Sequence, residues 1–285
     1  MPETLVLGAV AYDPKVVTIW EGFKQYFASR DLSFDYVLYS NYERQVESHL
    51  AGAFHIAWNS PLAWIRTKRQ AEANGQRVAA IVMRDTDQDL TSLVIVKSDS
   101  GIKTIPDLKS KRVAVGAVDS PQATLLPLSY LRGQGLTPEL DFAVVYHDLL
   151  AGKHGDHIGG EREAARALMA GKVDAACLID GNYLAFAAEG TLPAGATRVL
   201  GQTAAYDHCN FTVGPAAPEQ LVIRFRELLL NMSYDDAQVR PLMDLEGLKA
   251  WREGRLEGYR ALDKAVDEAG FYDAKGRIAA ANYRY

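Results

Sequence analysis

Val113-Ala-Val-Gly-Ala-Val-Asp119-Ser-Pro-Gln-Ala-Thr-Leu-Leu-Pro127 is the stretch on which the reading of the fold turns. Its apolar run reads as a buried strand. Asp119 and Ser120 make a turn, and Pro121 stands at the first position of a helix, where its missing N–H is no loss. A helix opening just past a strand end presents free N–H groups and the positive end of its dipole, which suits an anion or a polar ligand. The same strand-turn-helix unit recurs upstream. Residues 5–11 are an apolar strand; Asp13-Pro14 opens a helix carrying Val16, Ile19, Trp20, Phe23 and Phe27 at helical spacing. Residues 34–39 repeat the strand, with Ser40 or Asn41 capping the next helix. Residues 54–58 repeat it again, followed by Asn59-Ser60-Pro61, and residues 78–83 make a fourth strand.

Strands alternating with helices predict a parallel sheet with right-handed crossovers, whose ligands lie outside the carboxyl ends of the strands. Those ends hold Tyr12, Tyr42, Trp58, Asn59, Ser60 and the run Arg84-Asp-Thr-Asp87. Near Asp89 the texture changes, and residues 92–97 begin a second series with strands over 112–118, 142–146, 174–179 and 197–200, read as a second parallel sheet. Residues 211–213 form one more strand. The remainder, residues 219–285, reads as amphipathic helices packing back on the first lobe, without strands of its own. The expected organisation is therefore a discontinuous first lobe, residues 1–90 plus 205–285, and a second lobe over 91–204.

The chain has 285 residues and a net charge of −5 with both signs interspersed, so it carries no electrostatic footprint for nucleic acid. Its two cysteines, Cys177 and Cys209, form no C-x-x-C pair and indicate no disulfide framework or zinc knuckle. No stretch reaches the length of a membrane span, and no cofactor motif is present. The start lacks the features of a secretory leader: removal of one would place the protein in the periplasm, a natural start at Met1 in the cytoplasm. Both remain open at this level.

The ordered series Tyr39-Ser-Asn-Tyr42, Phe54-His-Ile-Ala-Trp-Asn-Ser-Pro61, Arg84-Asp-Thr-Asp87, Ser98-Asp-Ser-Gly101, Leu125-Leu-Pro127 and Gly171-Lys-Val-Asp-Ala175 resembles the PhnD-like substrate-binding proteins of phosphate, phosphite and phosphonate ABC importers. The resemblance implies the type II periplasmic binding protein architecture: α/β, two Rossmann-like lobes with a ligand cleft between them, closing over a small anion to be passed to an ABC permease. It also implies a hydroxyl-rich turn before Leu-Leu-Pro. This chain has Ser120-Pro121-Gln122-Ala123 there, which keeps one hydroxyl, loses an N–H to Pro121 and offers the Gln122 amide instead. The ligand expected is thus small and anionic, but not a simple phosphonate. Its expected contacts are Tyr12, Tyr42, Trp58, Asn59, Ser60, Ser120, Gln122, Thr124, His157, Tyr183 and His208.

Family members resembling this chain carry a Pro-rich turn where it has Tyr206-Asp-His-Cys-Asn210. The insertion supports an alternative: a cytoplasmic enzyme on the same fold, using His208, Cys209, His157 and Asp207 for acid/base, nucleophilic or metal-assisted chemistry. His154, His157, His208 and Cys209 form the corresponding alternative metal set, although the leading reading needs no metal. Cys177 reads as core, and His49 as a solvated residue on a polar helix face.

Overall fold

The computed structural model describes residues 4–148, 158–281 and 283. Along the chain come β1 (Leu5–Val10), α1 (Lys15–Ala28), β2 (Phe34–Tyr39), α2 (Tyr42–Leu50), β3 (Ile56–Asn59), α3 (Pro61–Ala73), β4 (Ala79–Arg84) and β5 (Ser92–Lys97). They are followed by β6 (Arg112–Val115), α4 (Leu126–Gly133), β7 (Ala143–Tyr146), α5 (Ile158–Met169), β8 (Ala175–Ile179), α6 (Asp180–Ala188) and β9 (Thr197–Gln202). The chain ends with β10 (Asn210–Val213), α7 (Glu219–Leu230), α8 (Arg240–Glu246), β11 (Trp251–Glu253) and α9 (Arg260–Ala269). The caps follow the sequence: Asn41 Oδ1 accepts from Arg44 N at 2.8 Å, and Ser60 Oγ accepts from Ala63 N at 3.2 Å with Pro61 at the first helical position.

The chain divides into two compact units, residues 1–88, 207–259 and 273–277 in one, and 89–206, 260–272 and 278–285 in the other. The first contains the sheet β11-β4-β10-β3-β1-β2. Its β1, β2 and β3 are parallel, whereas β10 runs antiparallel between β3 and β4, and β11 antiparallel to β4. The second contains β7-β6-β8-β5-β9, with β6 parallel to both neighbours and β5 antiparallel to β8 and β9. Both sheets are mixed, not parallel as expected. The reason is that β5 and β10 follow the points where the chain changes unit, so they do not enter by a strand-helix-strand crossover and escape its constraint on direction.

Two further expectations change in the tail. α7 and α8 belong to the first unit, but α9 belongs to the second, where it packs on α4 and on the turn before it. Its amphipathic pattern, with Leu262, Ala265 and Val266 buried, names an inward face and not the surface that receives it. The tail also contributes a strand, β11, too short at three residues to show an alternation.

The first core is aromatic. Phe211 of β10 lies 4.6 Å from Trp58, 5.0 Å from Phe225 and 5.3 Å from Trp251, ring centroid to centroid, so strands and helices from distant parts of the chain share one cluster. The second core is aliphatic, built on Val94, Val96, Val113, Val115 and Leu131 on one side of its sheet. His49, expected in solvent, is fully buried: it stacks on Phe54 at 4.7 Å, its Nε2 meets the His55 carbonyl at 3.2 Å, and burial lowers its pKa to about 4.

Gly8 of β1 has no room for a Cβ, which would sit 2.3 Å from the Phe54 ring. Gly8→Ala is expected to cost about 1–3 kcal/mol and Phe211→Ala about 3–5 kcal/mol, read from the shift in denaturant midpoint at unchanged slope.

Candidate functional site

Because β10 is antiparallel to β3, its first residue lies beside the last residue of β3, Asn210 opposite Asn59. The segment just before β10 therefore emerges at the edge where β1, β3 and β4 end, the edge that α/β sheets use for ligands. At that edge the first unit gathers Tyr12, Tyr42, Arg84, Asp87, His208, Cys209 and Glu246, which interact electrostatically with one another.

Arg84, the last residue of β4, organises the group. Its Nε donates to Asp87 Oδ2 at 2.5 Å and its Nη2 to Asp87 Oδ1 at 2.9 Å, a two-pronged pair. Nη1 donates to the Glu246 carbonyl at 2.8 Å and to Glu246 Oε1 at 3.3 Å. The guanidinium also lies over the Trp58 ring, 5.2 Å from its centroid. Asp87 further accepts the Cys209 amide at 3.2 Å, and the Asp87 carbonyl accepts the His208 amide at 2.8 Å. His208 Nδ1 stands 3.2 Å from Cys209 Sγ and 3.6 Å from Asp87 Oδ1.

Beneath this edge runs a buried polar chain. Gln45 donates to Asn59 Oδ1 at 2.8 Å, Asn59 donates to Thr212 Oγ1 at 2.8 Å, and Thr212 donates to Asn210 Oδ1 at 2.7 Å. Asn210 donates to Tyr259 Oη at 2.9 Å, and Tyr259 donates to the His208 carbonyl at 2.8 Å. Asn59 is thus fully buried, its amide engaged inside the unit instead of lining an open surface, and Trp58 lies in the aromatic core. Asp207, 1 % exposed, is gripped through both oxygens by Arg255 at 2.6 Å and serves as a structural ion pair. Ser60 caps α3.

Burial sets the ionisation of the cluster. Asp87 is opposed by burial, but Arg84 and His208 hold its pKa down at about 2. Burial, partly countered by Arg84 and reinforced by Asp87, pushes Glu246 up to about 7. Burial works against a charged His208, yet Cys209 and Asp87 raise it to about 10. Burial first, then Glu246 at Tyr12 and Cys209 at Tyr42, push both phenols up, so they remain neutral donors.

The second unit carries its own candidate residues at the end of β6. The helix after Ser120 opens as a π-helical turn, Pro121–Leu125, with Leu125 N bonding to the Ser120 carbonyl at 3.0 Å. Ser120 Oγ accepts from Ala123 N at 3.2 Å, and Ser92 Oγ donates to the Gln122 carbonyl at 2.5 Å. Gln122 Nε2 donates to Glu161 Oε1 at 3.2 Å, which fixes the amide orientation, because a carboxylate accepts only. Among the described residues, Gln122 Oε1 and Asp119 Oδ1 are left buried without partners, and so is Nε2 of His147, just after β7. Thr124 Oγ1 is likewise unpartnered but lines a separate cavity of about 330 Å³ with Leu128 and Ala265. Tyr183 packs on a separate buried cluster that includes Ile95, Leu178 and Phe186, with its hydroxyl 3.4 Å from Thr197 Oγ1. Cys177 is core, its thiol pushed up by burial to about 12. His154 and His157 lie outside the described residues.

The structure brings together Tyr12 and Tyr42, named at strand ends, His208 and Cys209, named at the departure from the family pattern, and the run 84–87, for which the sequence suggested no role for Arg84 or Asp87. Glu246 was missed. Its helix shows only amphipathic spacing, and a buried carboxyl in such a helix leaves no periodic signal.

A carboxyl whose folded pKa exceeds its ordinary 4.5 contributes stability that is fully present below 4.5 and is lost as pH rises through about 7. Wild type should therefore lose stability relative to Glu246→Gln between those pH values, as read from paired denaturant titrations. The opposite sign holds for Asp87, whose contribution is present above 3.8 and lost as pH falls through about 2.

A family model for periplasmic substrate-binding proteins of phosphonate ABC transporters matches residues 9–265. Among solved structures, XAC2383 from Xanthomonas citri bound to ATP is similar at TM-score 0.70 and 16% identity, covering 94% of this chain and 98% of that one. PhnD1 from Prochlorococcus marinus (MIT 9301) in complex with methylphosphonate is similar at TM-score 0.67 and 15% identity, covering 95% of this chain and 99% of that one. The periplasmic aliphatic sulphonate binding protein SsuA from Escherichia coli follows at TM-score 0.55 and 20% identity, covering 94% and 84%. At these identities the structural likeness is one of fold, and the family rests on the match over residues 9–265: the chain belongs to the phosphonate ABC transporter periplasmic substrate-binding proteins.

Proposed function

We propose that this substrate-binding protein takes a small anionic solute that also carries N–H or O–H donors, and passes it to an ABC permease. The anionic part follows the relatives: the neighbours described above hold methylphosphonate, ATP and aliphatic sulphonates, all bearing tetrahedral phosphorus or sulfur oxyanions. The donor requirement rests on Gln122. One N–H of its NH₂ is engaged by Glu161, which turns the carbonyl oxygen away from that carboxylate, and among the described residues this oxygen is buried without a partner. A buried acceptor left in that state costs about 1–3 kcal/mol, which an N–H donor on the solute recovers and the oxygens of a phosphonate dianion do not.

Asp119 Oδ1 nearby in sequence adds a second acceptor of the same kind. This sharpens the expectation drawn from sequence, in which the Gln122 amide stands where the family's hydroxyls would. On the first unit, Tyr12 and Tyr42 offer neutral hydroxyl donors suited to an oxyanion. Their role and that of Gln122 are part of the proposal.

Titration calorimetry with an aminoalkyl phosphonate and with methylphosphonate tests it. The amino compound is expected to bind about tenfold or more tightly, a difference of about 1.4 kcal/mol. Gln122→Met should remove most of that preference. Equal or tighter binding of methylphosphonate by the wild type would overturn the donor requirement.

A further inference from the structure

We infer that the first unit contains a transition-metal site in which Asp87 Oδ1, His208 Nδ1 and Cys209 Sγ bind one ion of the Zn²⁺ class and leave a fourth position open. The three atoms lie within 4.8 Å of one another. Around a tetrahedral ion with bonds of about 2.0–2.3 Å, neighbouring ligand atoms stand roughly 3.3–3.8 Å apart. Of the observed edges, the 3.6 Å from His208 Nδ1 to Asp87 Oδ1 falls inside that range and the 3.2 Å from the same nitrogen to Cys209 Sγ just below it. One thiolate, one imidazole and one carboxylate form a borderline-soft donor set, which suits Zn²⁺ better than Mg²⁺ or Ca²⁺.

The geometry separates this site from the enzymatic alternative. A nucleophile, base and orienting acid in relay need both nitrogens of the imidazole, one facing the nucleophile and the other the carboxylate. Here Sγ and the carboxylate oxygen face the same Nδ1. A metal ion needs only that nitrogen, and its place is where the three converge.

The supporting groups are those a metal site requires. Arg84 holds Asp87 by both oxygens, leaving its carboxylate oriented, and the Cys209 amide donates to the same Oδ1. Tyr259 fixes the His208 backbone through its carbonyl, and Asn210 fixes Tyr259. The charge also suits a dication, since Asp87 and a metal-bound Cys209 thiolate supply two anionic ligands. The His208 side chain, 20 % exposed, provides a route for entry, while Asp87 and Cys209 are buried.

The test strips the purified chain with a chelator, titrates it with ZnCl₂ by calorimetry and records the absorption spectrum with Co²⁺. One equivalent of Zn²⁺ is expected, with a thiolate-to-Co²⁺ charge-transfer band. Cys209→Ser should abolish the band and, like His208→Gln, weaken Zn²⁺ about tenfold or more; Cys177→Ala should change neither. The band in the unmodified chain reads thiolate ligation directly, so a variant that misfolds does not leave the question open. Absence of stoichiometric Zn²⁺ and Co²⁺ uptake, or Co²⁺ uptake without the band, overturns the inference. So does uptake that survives Cys209→Ser and disappears in His154→Ala/His157→Ala. Solute titrations on the chelator-treated chain read the proposed ligand separately, so either reading can fail alone.

Discussion

The register of β10 is the constraint on which the first unit depends. A strand of four residues runs against its neighbours β3 and β4, and the side chains of Asn59, Thr212 and Asn210 bond across it in a buried row. A slip by one residue would bury these amides unpaired and turn Phe211 out of the aromatic cluster. The same register puts His208 and Cys209 at the edge where β3 and β4 end. Packing and placement of the candidate site are therefore one decision.

The carboxyls at that edge are organised around Arg84. Arg84 meets two carboxyls that burial would otherwise keep neutral, and it divides them: Asp87, gripped by two hydrogen bonds, stays ionised, while Glu246, held mainly through its carbonyl, is left close to neutrality in its titration. The second unit is organised the other way. Among the described residues it carries buried acceptors without partners around a π-helical turn, where Glu161 takes one N–H of Gln122 and leaves the oxygens of Gln122 and Asp119. A family built to hold tetrahedral oxyanions here presents acceptors, which is why the solute is argued to bring donors of its own.

Much of this was legible in the residues. Alternating strands and helices, the caps at Asn41 and Ser60, the strand-end positions and the likeness to the PhnD group led to the α/β architecture and to the family. Tyr12, Tyr42, His208 and Cys209 were reached because strand ends and departures from a family pattern are local features. The roles of Arg84, Asp87 and Glu246 were not, since their meaning depends on which distant groups meet them. His49 reads as solvated because a polar residue on a short helix gives no sign that the phenyl ring of Phe54, in the connection before β3, will cover it.

The local elements, their order, the turn at Ser120-Pro121 and the family were determined by the sequence itself, because propensity, capping and strand-end spacing act between residues close in the chain. Strand direction at the two unit changes, the docking of α9, the pairing of Gln122 with Glu161 and the convergence of Asp87, His208 and Cys209 were decided by tertiary structure alone. Each depends on contacts between segments tens to hundreds of residues apart, and on which partner is left when every other buried polar group has been satisfied.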